Sequence, residues 1–440
     1  MRDSLHDSGS TQADGASSQP FAVKATGEAR SFDIVIVGAG AAGLATAIFT
    51  RRLNPSRSVL LLDGAARPGA KILVSGGSRC NVTNVAVSER DFAGGRPPVI
   101  RRILRAFSPS DTIAWFASLG VPLHEEAHGK LFPDTNRSRD VLDALLREAD
   151  ASGVVLKAGS RVNHLANDTG RFTLDTAHGP IDTAVVVMAT GGLSLPKTGS
   201  DGGGLEIVRQ LGHTIVPTTP ALVPLTSADD QMHEALSGVA QEVDIAVWID
   251  GAIAERVRGA LLWTHFGVSG PAVLDVSRHW LRARLEQRDA RLTVNFAPGE
   301  SFDSVDRTWT SLAEERPRAS LHSTLSRVIP ASVATAALQQ LGLDAATALT
   351  DLSRTSRRRL THALVEWPLS VTGSRGYNYA EATAGGVALD EIDPGTMASR
   401  RCPGLYLIGE MLDVDGRIGG FNFQWAWSSA RVAARALASG

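Results

Sequence analysis

Gly38, Gly40 and Gly43 lie in the run Gly38-Ala39-Gly40-Ala41-Ala42-Gly43, and Asp63 follows twenty residues after the last of them. Glycines at this spacing are what a dinucleotide pyrophosphate asks of a backbone. Gly38 permits a tight turn, Gly40 lets the main chain approach the phosphates, and Gly43 lets a helix pack closely on a sheet. The pyrophosphate then lies at a helix N-terminus, where free N–H groups and the dipole favour negative charge. Asp63 is placed to accept hydrogen bonds from ribose hydroxyls.

The elements around these residues support that chemistry. Residues 32–63 read FDIVIVGAGAAGLATAIFTRRLNPSRSVLLLD. An apolar strand runs into the glycines, a helix-compatible run follows, and a second apolar strand, Ser58 to Leu62, ends at Asp63. This is the sequence form of a βαβ dinucleotide-binding unit. A glycine-rich turn without a ligand does not explain the acid that ends the second strand.

The chain has 440 residues, too many for one small core, so two or three domains are expected. Its net charge of −2 supplies no global attraction to nucleic acid or to an anionic membrane. Cys80 and Cys402 cannot make a disulfide framework, which fits a reducing, cytoplasmic location. No apolar run is long enough to span a bilayer. Residues 1–30, rich in Ser, Gly, Ala, Asp and Thr, read as a disordered tail.

Beyond Asp63, PGAKILVSGGSRCNVTN (68–84) is expected to be an ordered loop lining the ligand. Helical patterns follow over 99–119, with Ser108 or Ser110 as a cap, and over 138–151, capped by Ser138. Residues 154–191 switch to a two-residue period and read as a β-meander. It returns to a buried strand, Ala184 to Ala189, that ends in Thr190-Gly191-Gly192 beside the ligand. Residues 221–374 change style, with strand-like pieces first and helical ones from about Ser301. The closing block returns to glycine-punctuated α/β: the strand GLYLIGE (404–410), ending in Gly409-Glu410, then Asp413, Asp415 and Gly419-Gly420, then a helix from Trp425 to Ala438. There is no second glycine fingerprint, so one stable dinucleotide domain is expected. In a flavin enzyme built this way, the acids after Gly409 meet the ribitol or pyrophosphate region. The last helix turns its N-terminus to the flavin N1/C2 edge.

PGAKILVSGGSRCNVTN, WTHFGVSGPAVL, ATAGGVAL and GLYLIGEMLDVDGRIGGFNFQWAWSSA together resemble the aminoacetone oxidase-like FAD-binding flavoproteins, a family that includes the flavoprotein associated with bile-acid 7-dehydroxylation. The resemblance runs from Phe32 to Leu437. It implies a Rossmann-type FAD-binding domain in two parts (31–220 and 375–440), with an inserted β-barrel-like domain (221–300) and a small helical domain (301–374). It implies FAD contacts at Ala42, Gly43, Asp63, Lys71, Asn81, Val162, Glu410, Asp413 and Asn422. Asp63 stands where the family usually has Glu, and Ser78 where it often has Gly.

Individual residues admit two readings each. Cys80 reads as a small buried filler rather than a redox thiol. Arg79 is either a cation near the flavin or a salt bridge that shapes its loop. His265, in THFGVSGP, is a candidate proton-transfer group, against a structural histidine. Trp425 and Trp427 read as core. The run Arg354 to Arg359 (RTSRRR) lacks interleaved aromatics and reads as a solvated face, which speaks against a nucleic-acid partner. No metal-ligand cluster is read.

The expectation is thus an FAD-dependent oxidoreductase passing a hydride between a small organic substrate and flavin N5, with any NAD(P)H visiting transiently. Two directions stay open: an amine oxidase, or an NAD(P)H-dependent reductase of an enone-like double bond. A flavin-binding RNA-modification protein is the alternative from another class. Oligomeric state is left open.

Overall fold

The computed structural model describes residues 32–440 except 169 and 229; the expected tail at 1–30 lies outside the described residues. Five parallel strands form the central sheet, in the spatial order Leu405–Leu407, Val185–Met188, Ile34–Val37, Val59–Leu62, Val155–Lys157. Ile34–Val37 and Val59–Leu62 are buried throughout, as strands covered on both faces must be. Helix Ala41–Leu53 packs against the closing helix, Phe421–Ser439, which begins four residues before the expected start. The fold is therefore of the expected Rossmann type. The expected meander is divided: Val155–Lys157 joins the edge of the parallel sheet, while Val162–Asp168, Arg171–Thr176 and Gly179–Thr183 form an antiparallel sheet of their own.

Other local differences have simple causes. The loop expected over 68–84 contains helix Ala70–Ser78. Ala70, Lys71 and Leu73 are helix formers, and Ile72 is buried. The helix then unwinds through Gly76 and Gly77 at φ +54° and +66°, where glycine meets little resistance. The 99–119 pattern is two helices, Pro97–Leu104 and Pro109–Ser118, the second capped by Ser108 with Asp111 in a capping box. Ser138 does not cap its helix; its hydroxyl donates to the Leu73 carbonyl oxygen at 2.8 Å.

A second hydrophobic core joins a seven-stranded sheet with helix Pro271–Leu285 and with helices Phe302–Glu315, Ala331–Leu341 and Arg354–Val365. Between the two large cores lies a small apolar cluster of Ala221, Leu222, Ala382 and Ala384, with Leu274 and Ile418 packed against it. Antiparallel strands Ile215–Ala221 and Ala382–Val387 carry the chain to and from this junction.

Candidate functional site

Strand register sets out the site. The Gly38 N–H donates to the Leu62 carbonyl oxygen, the Ala189 N–H to Val37 and the Ile408 N–H to Met188. Gly38, Asp63, Thr190 and Gly409 consequently stand together along the C-terminal edge of the sheet, the edge at which open α/β sheets take ligands.

The three glycines of the first turn meet different surroundings. Gly38 has φ +103°, and a Cβ on it would stand 2.5 Å from the Ala189 carbonyl oxygen. A Cβ on Gly43 would come within 1.8 Å of the Gly38 carbonyl oxygen. Around Gly40 the equivalent position has nothing within 4 Å. Gly40 is also the N-cap of helix 41–53, without a side-chain cap and without an acid in the first turn. The first N–H groups of a helix have no partner within it and carry the positive end of its dipole. Here they are left to an incoming anion. Ala42 is buried in the same turn, and a Cβ on Gly409 would lie 2.9 Å from the Ala42 Cβ, so the two loops are in close contact.

Asp63 closes this turn from the neighbouring strand. Its Oδ2 accepts from the Ala39 N–H at 2.7 Å and its Oδ1 from the Ala65 N–H at 2.8 Å. Burial pushes its pKa up against these two bonds. Each oxygen retains acceptor capacity. Its carbonyl oxygen accepts from the Ser160 N–H at 2.7 Å, and buried Val162 follows two residues later.

Lys71 and Glu410 meet across the sheet edge. Lys71 Nζ lies 2.6 Å from Glu410 Oε2 and 2.7 Å from Ser194 Oγ. Glu410 Oε1 accepts from Ser194 Oγ at 2.7 Å and from the Thr383 N–H at 3.0 Å. Gly191, at φ +74°, leaves room for Ser200 Oγ, which would be 2.3 Å from a Cβ. Two of the expected contact residues carry a polar atom that is buried with no hydrogen-bond partner among the described residues, Asn81 Oδ1 and Thr190 Oγ1. Neither atom has open surface for a ligand in this arrangement, and Thr190 Oγ1 is packed inward, 1.9 Å from where a Cβ on Gly204 would stand.

The C-terminal loop differs from expectation. Asp413 is half-buried, its pKa raised by burial against Arg282 and Arg278. Asp415, read from the sequence as a ligand-facing acid, is fully buried in a two-bond ion pair with Arg278, at 2.6 and 2.9 Å. Asn422 spends both ends of its amide on Gly416, accepting from its N–H at 2.8 Å and donating to its carbonyl at 2.9 Å. In this geometry it clamps the loop. Helix 421–439 starts at Gly420 without a side-chain cap or a first-turn acid. The Trp425 indole N–H donates to the Gly409 carbonyl and that of Trp427 to Val82, which makes both rings part of the core.

The two residues read as catalytic from sequence are not brought to this edge by any hydrogen bond or ion pair. Arg79 forms a 2.6 Å ion pair with Glu126 and lies over the Phe132 ring at 4.1 Å, the loop-shaping arrangement. His265 is exposed at the turn between strands Ala252–Thr264 and Gly267–Ser269, its ring against Phe266. Cys80 is fully buried and its thiol is pushed up to about 12 by burial, which suits a filler. In the basic run, Arg357 pairs with Asp306 at 2.9 Å, Arg358 lies over the Phe302 ring and Arg359 donates to the Leu341 carbonyl.

Sequence reading missed Ser194, Thr383, Arg278 and Gln424. Gln424 is fully buried and accepts from both Thr83 Oγ1 and Thr112 Oγ1. One signal for Arg278 was available: Asp275 and Arg278 are three apart on a helix, and so share a face.

Comparison with known proteins places the chain among relatives. The family model described as HI0933-like protein Rossmann domain matches residues 32–436. The chain is 37% identical over 411 residues to the ribosomal RNA dihydrouridine synthase of Escherichia coli K12, covering 92% of this chain and 98% of that one. It is 33% identical to the Haemophilus influenzae protein of the same name, again over 92% and 98%. It is 31% identical to the 3-dehydro-bile acid delta(4,6)-reductase of Clostridium scindens, over the same shares of the two chains.

Proposed function

The chain belongs to the HI0933-like family, and on that premise we propose that it is an FAD-dependent reductase of a ring C=C bond conjugated to a carbonyl. What carries the cofactor is the first turn. An uncapped helix N-terminus beside the open face of Gly40 suits a pyrophosphate. Gly38, Gly40, Ala42 and Gly43 would hold the phosphates. Asp63, with Val162 beside it, would take the ribose. Lys71, Glu410, Thr190, Gly191 and Gly409 would line the middle, and Asn81, Asp413 and the N-terminus of helix 421–439 the ring. Bound FAD would supply a hydride at N5, and a nicotinamide dinucleotide visiting transiently would renew it.

The direction follows from chemistry that the relatives' names share. Making dihydrouridine saturates the pyrimidine C5–C6 bond, and a delta(4,6)-reductase acting on a 3-dehydro steroid saturates C=C bonds conjugated to the 3-ketone. Both saturate a C=C bond conjugated to a carbonyl, a bond polarised to accept hydride. The amine-oxidase direction has no comparable support. Anaerobic photoreduction of the holoprotein, followed by a uridine-containing ribosomal RNA, a 3-oxo-Δ4,6 steroid or oxygen alone, tests it. Rapid return of the flavin's visible band with either of the first two is expected. Return with oxygen only, together with bleaching by aminoacetone, would sink the proposal in favour of the oxidase.

A second reading concerns where the double bond resides. Two relatives named for ribosomal RNA favour a uracil within RNA. The engaged Arg357, Arg358 and Arg359 argue that any RNA contact lies elsewhere on the surface. Dihydrouridine detected by mass spectrometry in RNA incubated with the protein and NADPH decides this.

A further inference from the structure

Lys130, Asp275 and Glu381 come close enough at the junction of the two cores for their charges to act on one another, and none of them forms an ion pair among the described residues. Asp275, in helix 271–285, accepts the Ile418 N–H at 2.7 Å and makes no other hydrogen bond among the described residues. Ile418 leads into Gly419-Gly420, the turn that opens helix 421–439. The Gly419 carbonyl accepts from Asn84 Nδ2 at 3.2 Å, and Asn84 is the cross-strand partner of Lys130. Glu381 directly precedes Ala382, which belongs to the apolar cluster holding Leu274 and Ile418. Ser194 Oγ, already bonded to Glu410, reaches the Glu381 carbonyl at 3.5 Å, so this junction adjoins the Lys71–Glu410 network.

The charges sense one another. Lys130 draws both carboxyl pKa values down, and Glu381 raises that of Asp275. Arg417, which also acts on Asp275, is taken up by Asp91 at 2.7 Å. Burial dominates all the same and pushes Asp275 up to about 6. Glu381 is open to solvent, yet desolvation raises its pKa, as befits a group standing in a cleft. Asp275 and Lys130 are partly buried and Glu381 is exposed, so their charged ends can be reached from solvent, and convergence without pairing marks a place for a polar ligand. Two carboxyls against one ammonium disfavour an anion.

We propose that Lys130, Asp275 and Glu381 form the substrate end of the cleft and take an uncharged ring bearing a conjugated carbonyl. Lys130 donates to the carbonyl oxygen, Asp275 delivers a proton to the α-carbon, and Glu381 repels anions. This assignment rests on the reductase reading given above. Bound reduced FAD would supply the hydride to the β-carbon, and the C=C π pair would pass to the carbonyl oxygen as an enolate. The α-carbon then takes the Asp275 proton, and solvent reprotonates the carboxylate. A nicotinamide dinucleotide returns the two electrons. Cys80, fully buried, does not compete as the acid.

The test uses holoprotein and three uncharged probes: uridine, cyclohex-2-enone and a 3-oxo-Δ4 steroid. At least one is expected to perturb the oxidised flavin spectrum of the wild type, whereas orotate, an anionic uracil, is not. Lys130→Met should keep its FAD and weaken probe binding by about tenfold or more. Asp275→Asn should bind the probe within about threefold. It should slow reoxidation of photoreduced flavin by about a hundredfold and lose the ionisation near 6 from the pH profile. The assignment is overturned if no probe perturbs the wild type, if orotate binds as well as uridine, if Lys130→Met binds normally, or if Asp275→Asn reoxidises at the wild-type rate from about pH 5 to 8. If wild-type protein binds a probe but no probe reoxidises it, the reductase reading fails, and the Lys130→Met and orotate arms still decide the subsite.

Discussion

In the glycine turn, the groups proposed to meet a ligand are main-chain N–H groups at the start of helix 41–53, next to one another in the chain. In the cleft, Lys130, Asp275 and Glu381 are side chains separated by 145 and 106 positions. The turn works by lacking side chains: a Cβ on Gly43 would meet a carbonyl oxygen at 1.8 Å, and one on Gly40 would meet open space. The cleft works by placing side chains whose charges the protein does not neutralise. The first arrangement tolerates almost no substitution but needs little tertiary support. The second needs both cores to be docked, which the Arg278–Asp415 pair and the Asp275–Ile418 hydrogen bond provide.

The sharpest way to break this comparison lies in the two glycines. Gly43→Ala should unfold or severely destabilise the protein, by more than about 3 kcal/mol, because backbone must move to admit the methyl group. Gly40→Val should melt near the wild-type temperature and emerge without FAD, since its side chain fills the open face instead of striking protein. Equal melting temperatures for the two variants would refute the distinction. Arg278→Ala strands a fully buried carboxylate at Asp415 and should cost about 3–5 kcal/mol in urea unfolding. A loss below about 1 kcal/mol would mean that the pair does not hold the cores together.

Asp63→Ala removes two bonds to main-chain N–H groups, so it should lower stability by about 1.5–3 kcal/mol even without cofactor. If only FAD affinity falls, Asp63 serves the ribose alone. The Asp275 carboxyl supplies a pH signature. Its folded pKa of about 6 lies above the ordinary 3.8, so the folded state keeps the proton longer. Relative to Asp275→Asn, wild-type stability should therefore fall as pH rises from about 4 to 6, by on the order of 2 kcal/mol, and stay level above that. A flat difference would place Asp275 in open water. Smallest of all, Arg357→Ala breaks a partly buried surface pair and should cost under about 1 kcal/mol, with RNA binding unchanged.

Local signals carried much of this structure. The βαβ unit around Gly38–Asp63 and the buried strand before Thr190 follow from hydrophobic period and glycine spacing. So does the Ser108 cap, set three residues before Asp111. Where two structures compete for the same residues, those signals fell short. Residues 70–78 contain helix formers and glycines alike, and packing of Ile72 chose a short helix. Asp415 reads as an exposed acid in a polar loop, and only Arg278, 137 positions away, shows it to be buried. His265 and Arg79 have the right chemistry for catalysis, but residue type does not tell where a side chain stands.

The amino-acid order by itself determined the Rossmann turn, because glycine conformation and helix-end polarity act over a handful of neighbouring residues. Tertiary structure alone decided which charges find partners. Ionic contacts depend on distance through space, and segments far apart in the chain meet only after the cores have docked. That is why Asp415 is neutralised and why Lys130, Asp275 and Glu381 come near enough to act on one another.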